Sequence, residues 1–175
     1  MNVNIETNRL FFRKLTNEDF KDLCEMLQDA DVTTAWEHTF TDVQVQEWLD
    51  RQFGRYEKDG IAVLAMIEKK SREMIGQGGL IWGDINGERV LELSYMLKKS
   101  YWNKGFAIEG AIGLANYAFK EMGINKIYMP IRPENSASRK VADKLGAKVN
   151  GEYVKNYNNK DMLHLIYVLD KPLCN

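Results

Sequence analysis

The chain has 175 residues and a mass of 20.3 kDa; 45% are hydrophobic and four are Trp, enough to fill the core of one domain, and no second domain is expected. With 24 basic and 25 acidic residues the net charge is −1, which excludes binding of nucleic acid through a general basic field and requires any polyanion to be met locally. The first thirty residues mix charges with apolar positions and no apolar run approaches membrane-spanning length, so neither a signal peptide nor a membrane anchor is expected, and the expected compartment is the cytoplasm.

Cys24 and Cys174 lack metal-ligand spacing, and a reducing compartment disfavours a disulfide. With His38 and His164 as its two histidines, the chain has few parts for a zinc site or a Ser-His-Asp hydrolase, and no metal is expected.

In chain order, residues 10–15 (Leu-Phe-Phe-Arg-Lys-Leu) read as a short strand, after which Thr16 and Asp19 form a capping box. Phe20, Leu23, Cys24 and Leu27 follow at helical spacing. A second capping box, Thr41 with Gln44, opens a helix carrying Val45, Trp48, Leu49 and Tyr56 that stops at Asp59-Gly60. Residues 31–40 between them have no periodicity and read as a loop. Its Trp36, Glu37 and His38 either line a substrate pocket or, in the case of Trp36, anchor the loop to the body.

Residues 61–68, 74–82 and 90–97 are three apolar segments in quick succession, the last two joined through an Asn-Gly pair that favours a tight hairpin; together they make an antiparallel meander. Gly76, Gly78 and Gly79 lie within a strand and open no helix, so they mark a bulge or a close backbone approach, not a dinucleotide fingerprint. The stretch 101–110 (Tyr-Trp-Asn-Lys-Gly-Phe-Ala-Ile-Glu-Gly) is the turn that starts a helix after a strand. Its first N–H groups and the helix dipole converge on one point, Gly105 and Ala107 allow close approach, and Lys104 adds a positive charge, so an anion can be held there. The plainer reading is a turn relieved by glycine. Small residues between Ile108 and Met122 give a helix able to lie close on a sheet, ended by Gly123. Residues 126–131 are the next strand, reached by a parallel crossover. Asn135 or Ser136 then caps a helix running to Leu145-Gly146, and segments 148–154 and 162–169 form a final hairpin. The fold class is therefore α/β (α+β), one domain on a mixed sheet.

This order, and the residues at two of its joints, resemble the GNAT superfamily of acetyl-CoA-dependent N-acyltransferases over nearly the whole chain, 1–175. The run from Tyr101 to Ala107 is similar to the family's pyrophosphate-binding turn: Gly105 and Ala107 fit the pattern, Trp102 replaces the usual Gln or Arg, and Asn103 stands where many members have Gly. The Tyr-Trp-x-Lys-Gly form, the opening Glu6-Thr7-Asn8-Arg9-Leu10, and Asn135-Ser136-Ala137-Ser138 leading to Lys144-Leu145-Gly146-Ala147 resemble the branch that includes RimJ and RimL, the acetyltransferases of ribosomal-protein N-termini. The resemblance implies a mostly antiparallel sheet of about seven strands flanked by helices, with the parallel crossover at the cofactor site. It also implies a strand at 90–97 that splays from its parallel neighbour and leaves backbone groups near Tyr95, Met96 and Leu97 for acetyl-CoA.

On that resemblance, an N–H near Tyr95 or Met96 polarises the thioester carbonyl. Trp102, Asn103, Lys104, Gly105, Phe106 and Ala107 surround the pyrophosphate, and Asn135 holds the pantetheine. Arg139 and Lys140 either meet the 3′-phosphate or form a solvated helix face. Glu92 is the candidate base, or else an ion-paired strand residue; Ser138 is the candidate partner of the sulfur, or else a capping residue. Ala142 stands where many members carry a Tyr acid, which leaves the acid unassigned. Trp36, Glu37, His38 and Tyr157 are the candidate acceptor-binding residues, with Tyr153 and His164 within reach, though His164 also reads as a plain sheet residue. Asp31, Glu37 and Asp42 would suit a cationic acceptor.

The implied function is direct transfer of acetyl from acetyl-CoA to a primary amine, either a protein N-terminus or a small molecule. The alternative is a CoA-binding sensor that has lost catalysis. NAD binding fits less well, because no acidic ribose-binding residue follows a strand at the required distance. A homodimer is expected by analogy alone.

Overall fold

Short apolar runs, continuous at residues 63–67 and alternating at residues 126–131, interrupted at glycines and turn residues, produce one eight-stranded sheet in the computed structural model, which describes residues 4–157 and 159–172. Cys174 lies outside the described residues. The strands are β1 (Ile5–Glu6), β2 (Leu10–Lys14), β3 (Val63–Glu68), β4 (Met74–Ile85), β5 (Glu88–Leu97), β6 (Lys126–Ile131), β7 (Lys148–Tyr157) and β8 (Lys160–Asp170). The helices are α1 (Phe20–Leu27), α2 (Asp42–Lys58), α3 (Phe106–Lys120) and α4 (Ser136–Leu145). The spatial order is β1-β2-β3-β4-β5-β6-β8-β7, antiparallel throughout except for the β5–β6 pair.

The sheet has eight strands where about seven were expected. The addition is Ile5–Glu6, too short to show a period in sequence and held by pairing with Phe11 and Phe12. The Thr16–Asp19 box opens a short 3₁₀ turn that runs on into α1, and the Asp19 carboxylate accepts from the Thr16 N–H at 2.8 Å. Asn86 and Gly87 both have positive φ (55° and 85°), so β4 and β5 extend beyond the segments read from the sequence to meet at a two-residue turn.

The middle-strand glycines do mark close backbone approach. A Cβ on Gly79 would stand 2.6 Å from Val63 Cα, and the β3–β4 register shifts beside Gly76. One face of the sheet packs against α3, with Leu10, Leu64, Leu91, Leu93, Leu97 and Ile127 meeting Ala111, Leu114 and Ala118. Gly110 lets α3 lie close, because an added Cβ would come 3.5 Å from the Phe12 ring and closer still to Met66. The other face packs α1 and α2 against Ala65, Ile67, Met74 and Met96. Leu114 is completely buried, and its truncation to Ala would cost about 2–5 kcal/mol. The two layers thus fix the middle of β5 between α3 on one side and α2 on the other.

Candidate functional site

Strand β5 pairs with β4 along its whole length, from Glu88 to Leu97, but bridges β6 only at Glu92–Tyr128. Beyond Glu92 the parallel neighbours part. The Lys98 N–H donates to the Ile75 carbonyl at 3.0 Å, and an antiparallel ladder alternates its bonding direction. The N–H and C=O groups of Tyr95 and Leu97 therefore face the opened side, whereas those of Met96 face β4. Met96 departs from the sequence-based expectation: its backbone is turned to Gln77, and its side chain packs on the α1–α2 face. The Leu97 carbonyl is also occupied, since Trp102 Nε1 donates to it at 3.0 Å. Trp102 thereby closes the lower end of the opening and is still 38% exposed.

The next turn leads into α3. Asn103 (φ 59°) and Gly105 (φ 79°) take the left-handed conformation, and Gly105 is the N-cap without a capping side chain. The Glu109 N–H, donating to the Gly105 carbonyl at 3.2 Å, makes the first intrahelical bond, so the amides of Phe106, Ala107 and Ile108 precede it. The Phe106 side chain is buried and meets Tyr101 edge-on, while Lys104 sits 5.1 Å over the Tyr101 ring.

This turn is held from the N-terminal segment. Glu109 accepts from the Thr7 hydroxyl (2.6 Å), the Arg9 N–H (2.7 Å) and Arg9 Nε (2.6 Å), and Arg9 Nη1 donates to the Lys104 carbonyl at 3.0 Å. The Arg9 guanidinium also lies 4.2 Å over the Phe106 ring. Burial pushes the Glu109 carboxyl up, but the Thr7 and Arg9 hydrogen bonds outweigh it and hold the group below its usual range. Sequence reading found the Thr7–Arg9 segment only as part of a resemblance. Glu109, in the first turn of a helix, carried no signal of a partner 100 residues away.

At the start of α4 the Asn135 side chain accepts from the Ser138 N–H at 3.0 Å, so Asn135 is the cap and its carboxamide oxygen is engaged. Among the described residues the buried Tyr95 hydroxyl has no hydrogen-bond partner, and burial pushes its pKa up to about 12; Ser138 is its polar neighbour, short of a hydrogen bond. Arg139 is partly exposed and makes two hydrogen bonds to neutral acceptors: Nη1 donates to the Pro133 carbonyl (3.1 Å) and Nε to the Tyr167 hydroxyl (3.3 Å). Lys140 is exposed, and Ala142 is fully buried against the α3 layer.

Glu92 points to the opposite, α2-covered face of the sheet. Burial pushes its carboxyl above the usual range, against the pull of Lys155 and Arg55. Gly83 makes room for it: a Cβ there would be 2.6 Å from Glu92 Cδ. That role of Gly83 could not be read in sequence, because the two residues share no local motif.

The loop and the last hairpin meet beside this face. Glu37, at φ 55°, accepts from Arg132 (2.8 Å) and Lys160 (2.9 Å). His38 stacks on Tyr157 with ring centres 5.9 Å apart, its Nε2 3.4 Å from the phenol oxygen. Trp36 packs edge-on against Phe40 and Trp48, the anchoring arrangement. His164 lies 5.5 Å from the Tyr153 ring, with Nδ1 2.9 Å from the Met162 carbonyl, and burial lowers its pKa.

Comparison with known proteins agrees with this architecture. The profile described as "Acetyltransferase (GNAT) domain" matches residues 9–148. The uncharacterized N-acetyltransferase p20 of Bacillus licheniformis is 33% identical over 147 residues, 83% of this chain and 82% of that one. Among solved structures, a GNAT-family acetyltransferase from Bacillus anthracis superposes with a TM-score of 0.81 at 24% identity, covering 96% of this chain and 98% of that one. A ribosomal-protein-S5-alanine acetyltransferase from Vibrio fischeri superposes with a TM-score of 0.75 at 19% identity, over 98% of this chain and 100% of that one, a likeness of fold alone. With the splayed β5–β6 pair and the uncapped α3 in place, the profile match over most of its length means that this chain belongs to the GNAT family of acetyltransferases.

Proposed function

We propose that the chain is an acetyl-CoA-dependent N-acetyltransferase that moves an acetyl group directly to a primary amine, a protein N-terminus or a small molecule. The observation that carries this reading is the continuity of two features: the side of β5 that parts from β6 beyond Glu92, and the uncapped α3 amides a few residues later. The first suits an extended chain of amides laid along a strand, the second a pyrophosphate, and Gly105 leaves the approach clear. Tyr95 and Leu97 would hold the pantetheine, and Asn103 to Ala107 with Lys104 the pyrophosphate. The exposed Lys140 is a better 3′-phosphate partner than the engaged Arg139. Bound acetyl-CoA supplies an acetyl group activated as a thioester.

The remaining chemistry falls to side chains. Glu92, raised by burial, takes a proton from the amine directly or through a water as the C–N bond forms. The Tyr95 N–H faces the side on which negative charge develops at oxygen. As the C–S bond breaks, Ser138 and the Tyr95 hydroxyl hydrogen-bond the departing sulfur, a role that the buried, unpartnered phenol fits better than Ala142. The acceptor approaches over the α2 face, past His38, Tyr157 and the 31–40 loop.

Thermal unfolding with acetyl-CoA, CoA, dephospho-CoA and NAD in parallel tests the reading. Acetyl-CoA and CoA should raise the midpoint and NAD should not, by up to about 2.7 kcal/mol at a hundredfold excess over Kd. Thiol release with amines should then be lost in Glu92→Gln while the acetyl-CoA shift persists. No shift with either CoA species overturns the proposal.

A further inference from the structure

Strand registers define which side chains share the acceptor face. Glu92 bridges Tyr128, Tyr128 pairs with Val168, His164 pairs with Tyr153, and Met162 with Lys155. Period-two alternation therefore puts Glu92, Tyr128, Tyr153, Lys155, Tyr157 and His164 on one side of the sheet. Helix α2 crosses that side between two fixed ends. Trp48 Nε1 donates to Gln77 Oε1 (3.1 Å) opposite Met96, and Asp59 pairs with Arg89 (3.2 Å) near the start of β5. Arg51 and Arg55 lie one and two turns beyond Trp48, between those ends. Arg51 stacks 5.6 Å from the Trp48 ring, and Arg55 donates to Gln52 Oε1 at 3.2 Å. Their fields reach the site: Arg55 acts on Glu92, and Arg51 on the Tyr157 phenol.

Among the described residues no carboxylate pairs with Arg51, Arg55 or Lys155. The acids expected from sequence to receive a cationic acceptor are engaged elsewhere. Asp31 pairs with Lys99, Asp42 accepts from Gln28 at 2.6 Å, and both Glu37 oxygens hold Arg132 and Lys160. Asp59, the other carboxylate that acts on Arg55, is paired with Arg89, so the cleft over Glu92 has more positive than negative groups around it.

We propose that the acceptor is an anionic primary amine, with a carboxylate or phosphate close to the amino group, bound by Arg51, Arg55 and Lys155 while the amine faces Glu92. Guanidinium groups match both oxyanions in geometry. The same cations favour loss of the ammonium proton and repel a polyamine. This inference rests on the acetyltransferase reading and names the acceptor class for the same site.

The test uses the full chain and pairs of amines that differ in the anion alone: phenylalanine with phenethylamine, phosphoethanolamine with ethanolamine, and an Asp-rich peptide with its Asn counterpart, plus spermidine. Thiol release from acetyl-CoA should favour the anionic member at least tenfold in kcat/KM, and the preferred pair tells carboxylate from phosphate and peptide from small molecule. Arg51→Gln and Arg55→Gln should raise KM for that amine about tenfold, cut its preference over its neutral partner by a similar factor, and leave the thermal shift by acetyl-CoA unchanged. The retained shift shows that the variants fold. Equal use of both members, preference for spermidine, or acetyl-CoA binding without turnover of any anionic amine overturns the inference. Failure to bind acetyl-CoA would instead sink the acetyltransferase reading.

Discussion

Gly83 stands against the Glu92 side chain so closely that a methyl group there would overlap the carboxylate, coming 2.6 Å from Cδ. The obstructed atoms are the end of a flexible side chain, not backbone, so the fold can absorb the change while Glu92 cannot keep its place. Gly83→Ala should therefore leave the unfolding midpoint nearly unchanged, within about 1 kcal/mol, and lower kcat on the order of 10²-fold. Paired thermal melts and steady-state rates check this. Unchanged turnover would remove the Glu92 geometry from the mechanism.

The raised Glu92 carboxyl has two pH signatures of opposite use. As a base it must be ionised, so kcat/KM should fall toward acid with an apparent pKa above the ordinary carboxylate range, and Glu92→Gln should lose that limb. For stability, the folded state holds this proton to higher pH than the unfolded chain does. Its favourable contribution is complete below the unfolded pKa and is lost as pH rises through the folded one. Glu92→Gln, which cannot ionise, should thus be at least as stable as the parent at neutral pH. A rate profile taken alongside melts from pH 4 to 8 reads both.

Tyr95 offers a similar separation. Its hydroxyl is buried with no partner among the described residues, so Tyr95→Phe should unfold at the same temperature or slightly higher. A hydrogen bond to developing charge is worth about 1.5–3 kcal/mol, so the same change should lower kcat roughly tenfold or more with little effect on the acetyl-CoA shift. Ser138→Ala should act in the same direction. If kcat is unchanged in both variants, the departing sulfur is served from elsewhere.

Arg9 and Glu109 tie the N-terminal segment to the turn before α3. Glu109→Ala removes the acceptor of three hydrogen bonds and should cost about 1–3 kcal/mol, with weaker acetyl-CoA binding because the Lys104–Gly105 backbone loses its support. Arg9→Ala should overlap with it in a double-mutant cycle. Since the Glu109 carboxyl is held below its usual range, its stabilisation is complete above the unfolded pKa and is lost as pH falls through the lower folded value; the parent and the Glu109→Ala chain should converge in acid. Denaturant melts at two pH values measure this.

Local chemistry in the sequence determined a good deal by itself. The capping boxes at Thr16 and Thr41, the Asn86-Gly87 turn and the glycine before α3 each act through backbone bonds a few residues long, and they placed the helix starts, the β4–β5 hairpin and the turn into α3. The acetyltransferase family was legible from motifs in the same short stretches. What only the tertiary structure decided involves partners far apart in the chain. Arg9 with Glu109, Gly83 with Glu92, Arg139 with Tyr167, and Glu37 with Arg132 and Lys160 are brought together by sheet register and layer packing. Charge is where the two levels diverge most. The acidic loop residues suggested a site for a cation, but ion pairing is a matter of distance through space: once folded, Asp31 and Glu37 are paired with cations, and among the described residues the arginines of α2 have no carboxylate paired with them.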